Sequence, residues 1–376
     1  MRFSSFLLVT LAAYFAFLLS IALDLSISRV VIGFIFFSIV PGYALVKLLK
    51  MDELDLVEVV LFSVGFSIAF LMLFGFLLNE FAMLAGVSSP LSFTPMVISF
   101  STIVVAGIAI VEWRRCPSLN FPRMDLSVRS PAIFAFLFLP VLSAIGTYFL
   151  NATGSNVILF FMFALIAVLV GVVILFENVL DQRFYPIAIV SIAIALLFSS
   201  SLVSNYIVPM GSDSNVEYFV SKVAESNRFW NSTSYFFGDL GFQRINAMLS
   251  IGILPNVYSI LLGIDLTWVF KILFPIIFSL VPLVLYEFWR FHVQPKYAFL
   301  SAFLFMSLDT FYTEMLGLNR QIIAELFFAL LFIVILSKQM NRSSKMLSFV
   351  IFSIGLVTSH YGLAEIFFFF IPGPSS

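Results

Sequence analysis

VILFFMFALIAVLVGVVILF, from Val157 to Phe176, is a run of 20 residues without one polar side chain. A helix rises about 1.5 Å per residue, so this run covers about 30 Å, the thickness of a bilayer's hydrocarbon core. A membrane-spanning strand needs only about 10 residues and alternates apolar with polar ones. The continuous run therefore reads as a transmembrane helix and excludes a β-barrel. Similar windows recur near Phe6–Leu23, Arg29–Leu49, Val57–Leu78, Leu91–Val111, Pro131–Leu150, Tyr185–Val203, Trp268–Glu287, Tyr297–Met315, Gln321–Ser337 and Met346–Ile371. The expected fold class is all-α, a polytopic transmembrane helical bundle of about 11 spans.

Composition agrees. The chain has 376 residues, 62% hydrophobic and 10% charged, with 49 Phe and a mean hydropathy of +1.12. Soluble domains are about 25% charged, so this chain could not cover a water-facing surface with polar side chains. A soluble enzyme, a nucleic-acid binder and a disordered chain are excluded, and a net charge of −1 gives no pull toward nucleic acid. One cysteine, Cys116, and two histidines, His292 and His360, supply no metal-ligand spacing.

Lys and Arg orient the bundle. With the N-terminus inside, the inner loops hold most of the 19 basic residues, among them Lys47, Lys50, Arg114, Arg115, Arg290 and Lys296. That bias holds only if the apolar stretch Ala247–Ile264, interrupted by Pro255, does not cross. It is therefore read as a re-entrant or interfacial helix pair on the outer face. The protein is expected in the plasma membrane, N-terminus cytoplasmic, with residues 204–267 forming an outer loop of membrane-surface helices. Of three sequons, Asn151-Ala-Thr and Asn231-Ser-Thr fall outside and Asn341-Arg-Ser inside.

The first seven spans carry no ionisable residue in their interiors, whereas the last four do. Lys271, Asp309, Glu314, Arg320, Glu325, His360 and Glu365 all fall in this C-terminal part, most toward the outer side. A charge within a membrane costs about 2.5–3.5 kcal/mol even on the lenient insertion scale. A shared polar cavity opening outward accounts for them, and buried ion pairs holding helices together are the structural alternative. Domain organisation follows: 1–184 is a six-span N-terminal module, and 185–376 holds a first core span (185–203), the outer loop (204–267) and spans over 268–371.

The loop contains a helix with Val216, Phe219, Val220 and Val223 at helical spacing, expected to lie apolar side down on the membrane. Asp213 and Glu217 share one face at its start. Ser214-x-x-Glu217 reads as a capping box with Asp213 adding favourable charge. The same carboxylates, fixed at a helix start beside a bilayer, also suit general acid or base work. No Walker A loop, dinucleotide fingerprint, His-Glu-x-x-His or Gly-x-Ser-x-Gly elbow is present.

The span Tyr185–Val203, the loop after it and Asp213 near its beginning resemble the GT-C superfamily of integral membrane glycosyltransferases. More narrowly, Pro41-Gly-Tyr-Ala-Leu, Gly211-Ser-Asp-Ser-Asn-Val-Glu-Tyr, Arg320-Gln-Ile-Ile-Ala-Glu-Leu-Phe-Phe and Ser359-His-Tyr resemble uncharacterised archaeal polytopic membrane proteins related to that superfamily. The narrower likeness spans most of the chain; the GT-C likeness covers Tyr185–Ile371. The resemblance implies sugar transfer from a polyprenyl-phosphate donor to an acceptor on the outer face. It implies Asp213 as general base, with Glu217 orienting either Asp213 or the acceptor. It places Lys271, Asp309, Glu314, Arg320, Gln321, Glu325, His360 and Tyr361 around the substrates. Arg320 and Lys271 would hold the lipid phosphate, with His360 and Tyr361 lining the donor cavity. Expected partners are membrane lipids and the lipid-linked donor; no cofactor is assigned, and a divalent metal is compatible. GT-C enzymes usually carry more spans beyond this point, so the C-terminus is expected to be truncated. A secondary transporter and a non-catalytic membrane scaffold are the alternative readings.

Overall fold

The computed structural model describes residues 5–114, 132–176, 179–204, 212–233 and 240–370, and within them every regular element is helical. Among the described residues, eight helices are long and apolar enough to cross a membrane: Ser26–Leu48, Leu56–Leu84, Phe93–Trp113, Ala132–Thr153, Val157–Leu175, Gln182–Ser201, Leu266–Arg290 and Asn319–Leu336. Many of their large side chains, such as Phe160, Phe161 and Val168, are exposed, as expected of surface meant for lipid.

Three expected spans take other forms. The first is the helix Ser5–Ala22, whose apolar part is short. The window Tyr297–Met315 is a helix only over Pro295–Met306, followed by the single turns Asp309–Tyr312 and Glu314–Gly317. Twelve residues rise only about 18 Å. The last window divides at His360, whose extended backbone (φ −155°, ψ 109°) separates Arg342–Ser359 from Tyr361–Phe370.

The chain groups into two compact units made of interleaved stretches, which do not follow the chain-order division at residue 184. One comprises Met1–Pro122, Val216–Val269 and Leu330–Ser376. Its centre is the pair Ser26–Leu48 and Leu56–Leu84. Gly42 lets them approach: a Cβ there would stand 1.8 Å from the Ser63 carbonyl oxygen. Pro41 removes one backbone donor from the first helix, and the neighbouring Gly42 amide donates to Ser67 Oγ at 2.8 Å. This close, small-residue contact gives the Pro41-Gly-Tyr motif a packing role.

The stretch Ala247–Ile264 is a helix pair, Leu249–Gly252 and Leu254–Leu262, too short to span. Arg29 closes its end. The guanidinium donates to the Ile260 and Leu261 carbonyls at 2.9–3.0 Å and lies over the Phe93 ring. A cation at a helix C-terminus meets the unsatisfied carbonyls and the negative end of the helix dipole. Gly263, at φ +70°, supplies the left-handed residue that ends the helix.

The loop helix runs from Ser212 to Asn227, so Ser214 already lies inside it and is not its cap. Its buried face is mostly small or polar. Ser214, Glu217, Val220, Ser221 and Ala224 are buried, while Phe219 is exposed. Small polar groups dock this face: Ser221 Oγ donates to the Ile251 carbonyl at 2.8 Å, and Asn256 Nδ2 donates to the Ser221 carbonyl at 3.2 Å. Phe219 is left on the other side, where a membrane protein can present it to lipid.

The second unit comprises Arg123–Asn215 and Phe270–Ala329. Ser143 Oγ donates to the Ala195 carbonyl at 2.7 Å, tying Ala132–Thr153 to Tyr185–Ser201. Tyr185 packs on Phe299, and Phe278 stacks on Phe311. The span Leu266–Arg290 is not a uniform helix. It widens into a π-helical turn over Val269–Leu273 and breaks after Phe278, where Pro282 removes the amide that Phe278 would have bonded.

Candidate functional site

Asp213 and Arg320 stand 107 residues apart in the chain and meet in the second unit. Arg320 Nη2 donates to Asp213 Oδ2 at 2.7 Å. Each comes from a helix start: Asp213 from the first turn of Ser212–Asn227, Arg320 from the first turn of Asn319–Leu336. The carboxylate thus sits where the helix dipole favours negative charge. The pair is asymmetric. The Arg320 side chain is 8% exposed and Asp213 38%, so the cation lies beneath and the carboxylate opens outward. A charge-assisted bond of this length orients the carboxylate and neutralises the guanidinium.

Below Arg320, the Gln321 amide donates to Glu325 Oε1 at 3.1 Å and to Met315 Sδ at 3.8 Å. Glu325 is four residues into the helix from Gln321, so this bond fixes the intramembrane carboxylate from its own helix face. Asp309 is exposed, and the Thr313 hydroxyl donates to its backbone carbonyl at 2.7 Å and to its Oδ2 at 3.3 Å. Glu314 is also exposed.

Lys271, at the centre of the π-helical turn, is 4% exposed and donates to the Ser204 carbonyl at 2.7 Å and the Val203 carbonyl at 3.2 Å. The ammonium therefore closes the end of Tyr185–Ser201, where a cation meets free carbonyls. Asn151 clasps the same turn from the other side. Its Nδ2 donates to the Leu202 carbonyl at 3.0 Å, and its Oδ1 accepts the Ser204 amide at 2.9 Å. Ser204 is held at φ +68° between them. The sequence marked Asn151 only as a sequon; its pairing with a helix end 51 residues away has no local signal.

The remaining expected site residues belong to the first unit. Glu217 is fully buried on the loop helix, one turn after Asp213. His360 Nδ1 accepts the Leu363 amide at 3.0 Å, in the manner of a cap for Tyr361–Phe370, and its ring stacks on Tyr361. That bond requires an unprotonated Nδ1. A further charged group was not expected from the sequence: Lys222 bridges Glu225 Oε2 at 2.7 Å and Asp265 Oδ2 at 2.9 Å. Burial works against the Lys222 charge, but the two carboxylates more than offset it and hold the ammonium above its ordinary value. Burial likewise works against ionised Asp265, but the Thr267 and Lys222 hydrogen bonds bring its carboxyl down to about 2.

Among the described residues no group of three His, Cys, Asp or Glu side chains is placed to hold a metal ion. Searches against protein-family models, curated proteins and solved structures return no match to this chain.

Proposed function

We propose that the chain transfers a sugar from a polyprenyl-phosphate donor to an acceptor on the outer face of the plasma membrane. The observation that carries this reading is the Asp213–Arg320 pair, which sets a half-open carboxylate on a nearly buried cation at two helix starts. The donor phosphodiester, which carries one negative charge and two free oxygens, competes for the Arg320 guanidinium. Asp213 is then released from its partner and is free to meet the acceptor hydroxyl.

The acceptor hydroxyl gives its proton to Asp213 as its oxygen bonds to the anomeric carbon. The bond from that carbon to the phosphate oxygen breaks, and the electron pair leaves with polyprenyl phosphate. Arg320 stabilises the charge that develops there. One displacement inverts the anomeric centre. No step passes through a metal.

Sugar transfer in membranes carrying the full-length protein tests this. A general base contributes about 10²–10⁴-fold, so Asp213→Asn should lose at least about a hundredfold with its unfolding temperature little changed. Full activity in that variant removes Asp213 from the scheme. The burial of Arg320 favours a competing reading, in which the pair only ties two helices together. In that case stability falls in Asp213→Asn and no transfer is detected in either protein. Secondary transport has one observation in its favour, the interrupted helix Leu266–Arg290. The N-terminal prolines give it no counterpart, because Ser26–Leu48 and Ala132–Thr153 run through Pro41 and Pro140.

A further inference from the structure

An open cavity of about 400 Å³ lies in the first unit where three helices end or begin: Ser26–Leu48, Phe93–Trp113 and Arg342–Ser359. Its polar lining includes Lys50, Arg114, Asn341 and Ser343, with no acidic residue among the described residues of the wall. Its apolar lining includes Ile110 and Leu347. The Lys and Arg bias assigns this end to the inside of the membrane. We infer that the cavity binds the phosphate of an anionic lipid headgroup, with the first part of an acyl chain along the apolar wall.

The way the wall is built supports this. Lys50 and Arg114 are exposed, and among the described residues neither side chain is committed to an ion pair or hydrogen bond. The frame around them is fixed. Ser344 Oγ donates to the Leu49 carbonyl, joining the end of one helix to the start of another. Asn341 Oδ1 accepts the Ser344 amide at 2.9 Å and caps that second helix. The helix leaves its other first-turn amides without intrahelical partners.

Lys50 occupies a costly position. The Met51 amide bonds the Val46 carbonyl and the Lys50 amide bonds the Lys47 carbonyl, which is the turn that usually ends a helix on glycine. Lys50 takes the left-handed conformation there, at φ +55°. The chain tolerates that strain and gains an ammonium at the mouth of the cavity. Basic pockets between transmembrane helices on the cytoplasmic side are suited to phosphate headgroups, each cation worth about fivefold in affinity. A free phosphate would use the same cations, but the Ile110 and Leu347 wall gives it nothing.

The full chain in detergent tests this, with phosphatidylglycerol, phosphatidylcholine and inorganic phosphate as probes. Unfolding temperature and lipid retained in native mass spectrometry are the readouts. Phosphatidylglycerol should raise the unfolding temperature, and the other two probes should not. Lys50→Gly relieves the left-handed strain, so it should fold at least as well without lipid while binding phosphatidylglycerol about fivefold more weakly. Adding Arg114→Gln should weaken it by about fivefold again. Arg183→Gln with Lys296→Gln removes two charges elsewhere and should leave the response intact. An unchanged response in the Lys50 and Arg114 variants overturns the proposal, as does equal loss in the control. An equal rise with phosphatidylcholine removes the role of the charge, and an equal rise with inorganic phosphate removes the lipid.

Discussion

Replacing Gly42 by alanine adds one methyl group at the tightest helix contact in the first unit. The new Cβ would lie 1.8 Å from the Ser63 carbonyl oxygen and 2.7 Å from the Ser67 nitrogen, and both are backbone atoms. Neither can rotate away, so the helices Ser26–Leu48 and Leu56–Leu84 must separate by more than an ångström. A radial gap of that size forfeits about a quarter to a half of the local dispersion energy, and overpacking of this kind costs about 1–3 kcal/mol. The Gly42 amide bond to Ser67 Oγ, now 2.8 Å, would stretch or break, which adds about 1 kcal/mol. Alanine's better helix propensity returns about 1 kcal/mol. The net expectation is a loss of about 1–3 kcal/mol. Thermal unfolding of the purified protein in detergent measures it against two internal controls. Gly107 and Gly171 have nothing within 4 Å of an added Cβ, so alanine there should be neutral or stabilise by up to about 1 kcal/mol. If Gly42→Ala unfolds at or above the temperature of Gly107→Ala, close helix approach is not what requires glycine at position 42.

Three further outcomes are expected. Lys271→Met strips the ammonium from the Val203 and Ser204 carbonyls and should cost about 1–3 kcal/mol with no substrate present; an unchanged unfolding temperature would leave Lys271 available to a ligand. His360→Asn keeps a side-chain acceptor for the Leu363 amide and should be tolerated, whereas His360→Leu should lose about 1 kcal/mol, measured the same way. Asp265 is held at about 2, below the 3.8 of a free carboxyl, so the stability it contributes is present above pH 4 and fades as pH falls toward 2. Asp265 is half exposed, so solvent screening makes this contribution small. Asp265→Asn should flatten that part of the pH profile, and an identical profile would exclude Asp265 as its source.

The apolar runs made most spans legible, because length and continuity are all that a bilayer asks of a lipid-facing helix. The break after Met306 was hidden, since the window Tyr297–Met315 averages apolar whether or not the backbone turns at Ser307. The period of the loop helix showed where its apolar residues recur, but not which residues the protein itself covers. Here the buried side is Ser, Ala, Val and Glu, which pack closely and hydrogen-bond, while Phe219 stays outside. Asp213 and Arg320 were each marked as unusual charges, yet only the fold brings them together. Asn151, Ser143 and Tyr258 bond partners from 51 to 220 residues away, and no local pattern encodes such pairs.

The interleaving of the two units sets a timetable for biosynthesis. Phe66 is wholly buried and stacks on Phe352, 4.7 Å between ring centres. At a synthesis rate of about 5–20 residues per second, that partner arrives on the order of 15–60 s after Phe66 leaves the ribosome. Through that interval the contact face of Leu56–Leu84 must be covered by lipid or by an insertion factor. By contrast Ser143 waits only 52 residues for Ala195. Any pause in translation between Leu84 and Arg342 therefore lengthens the life of a half-built first unit.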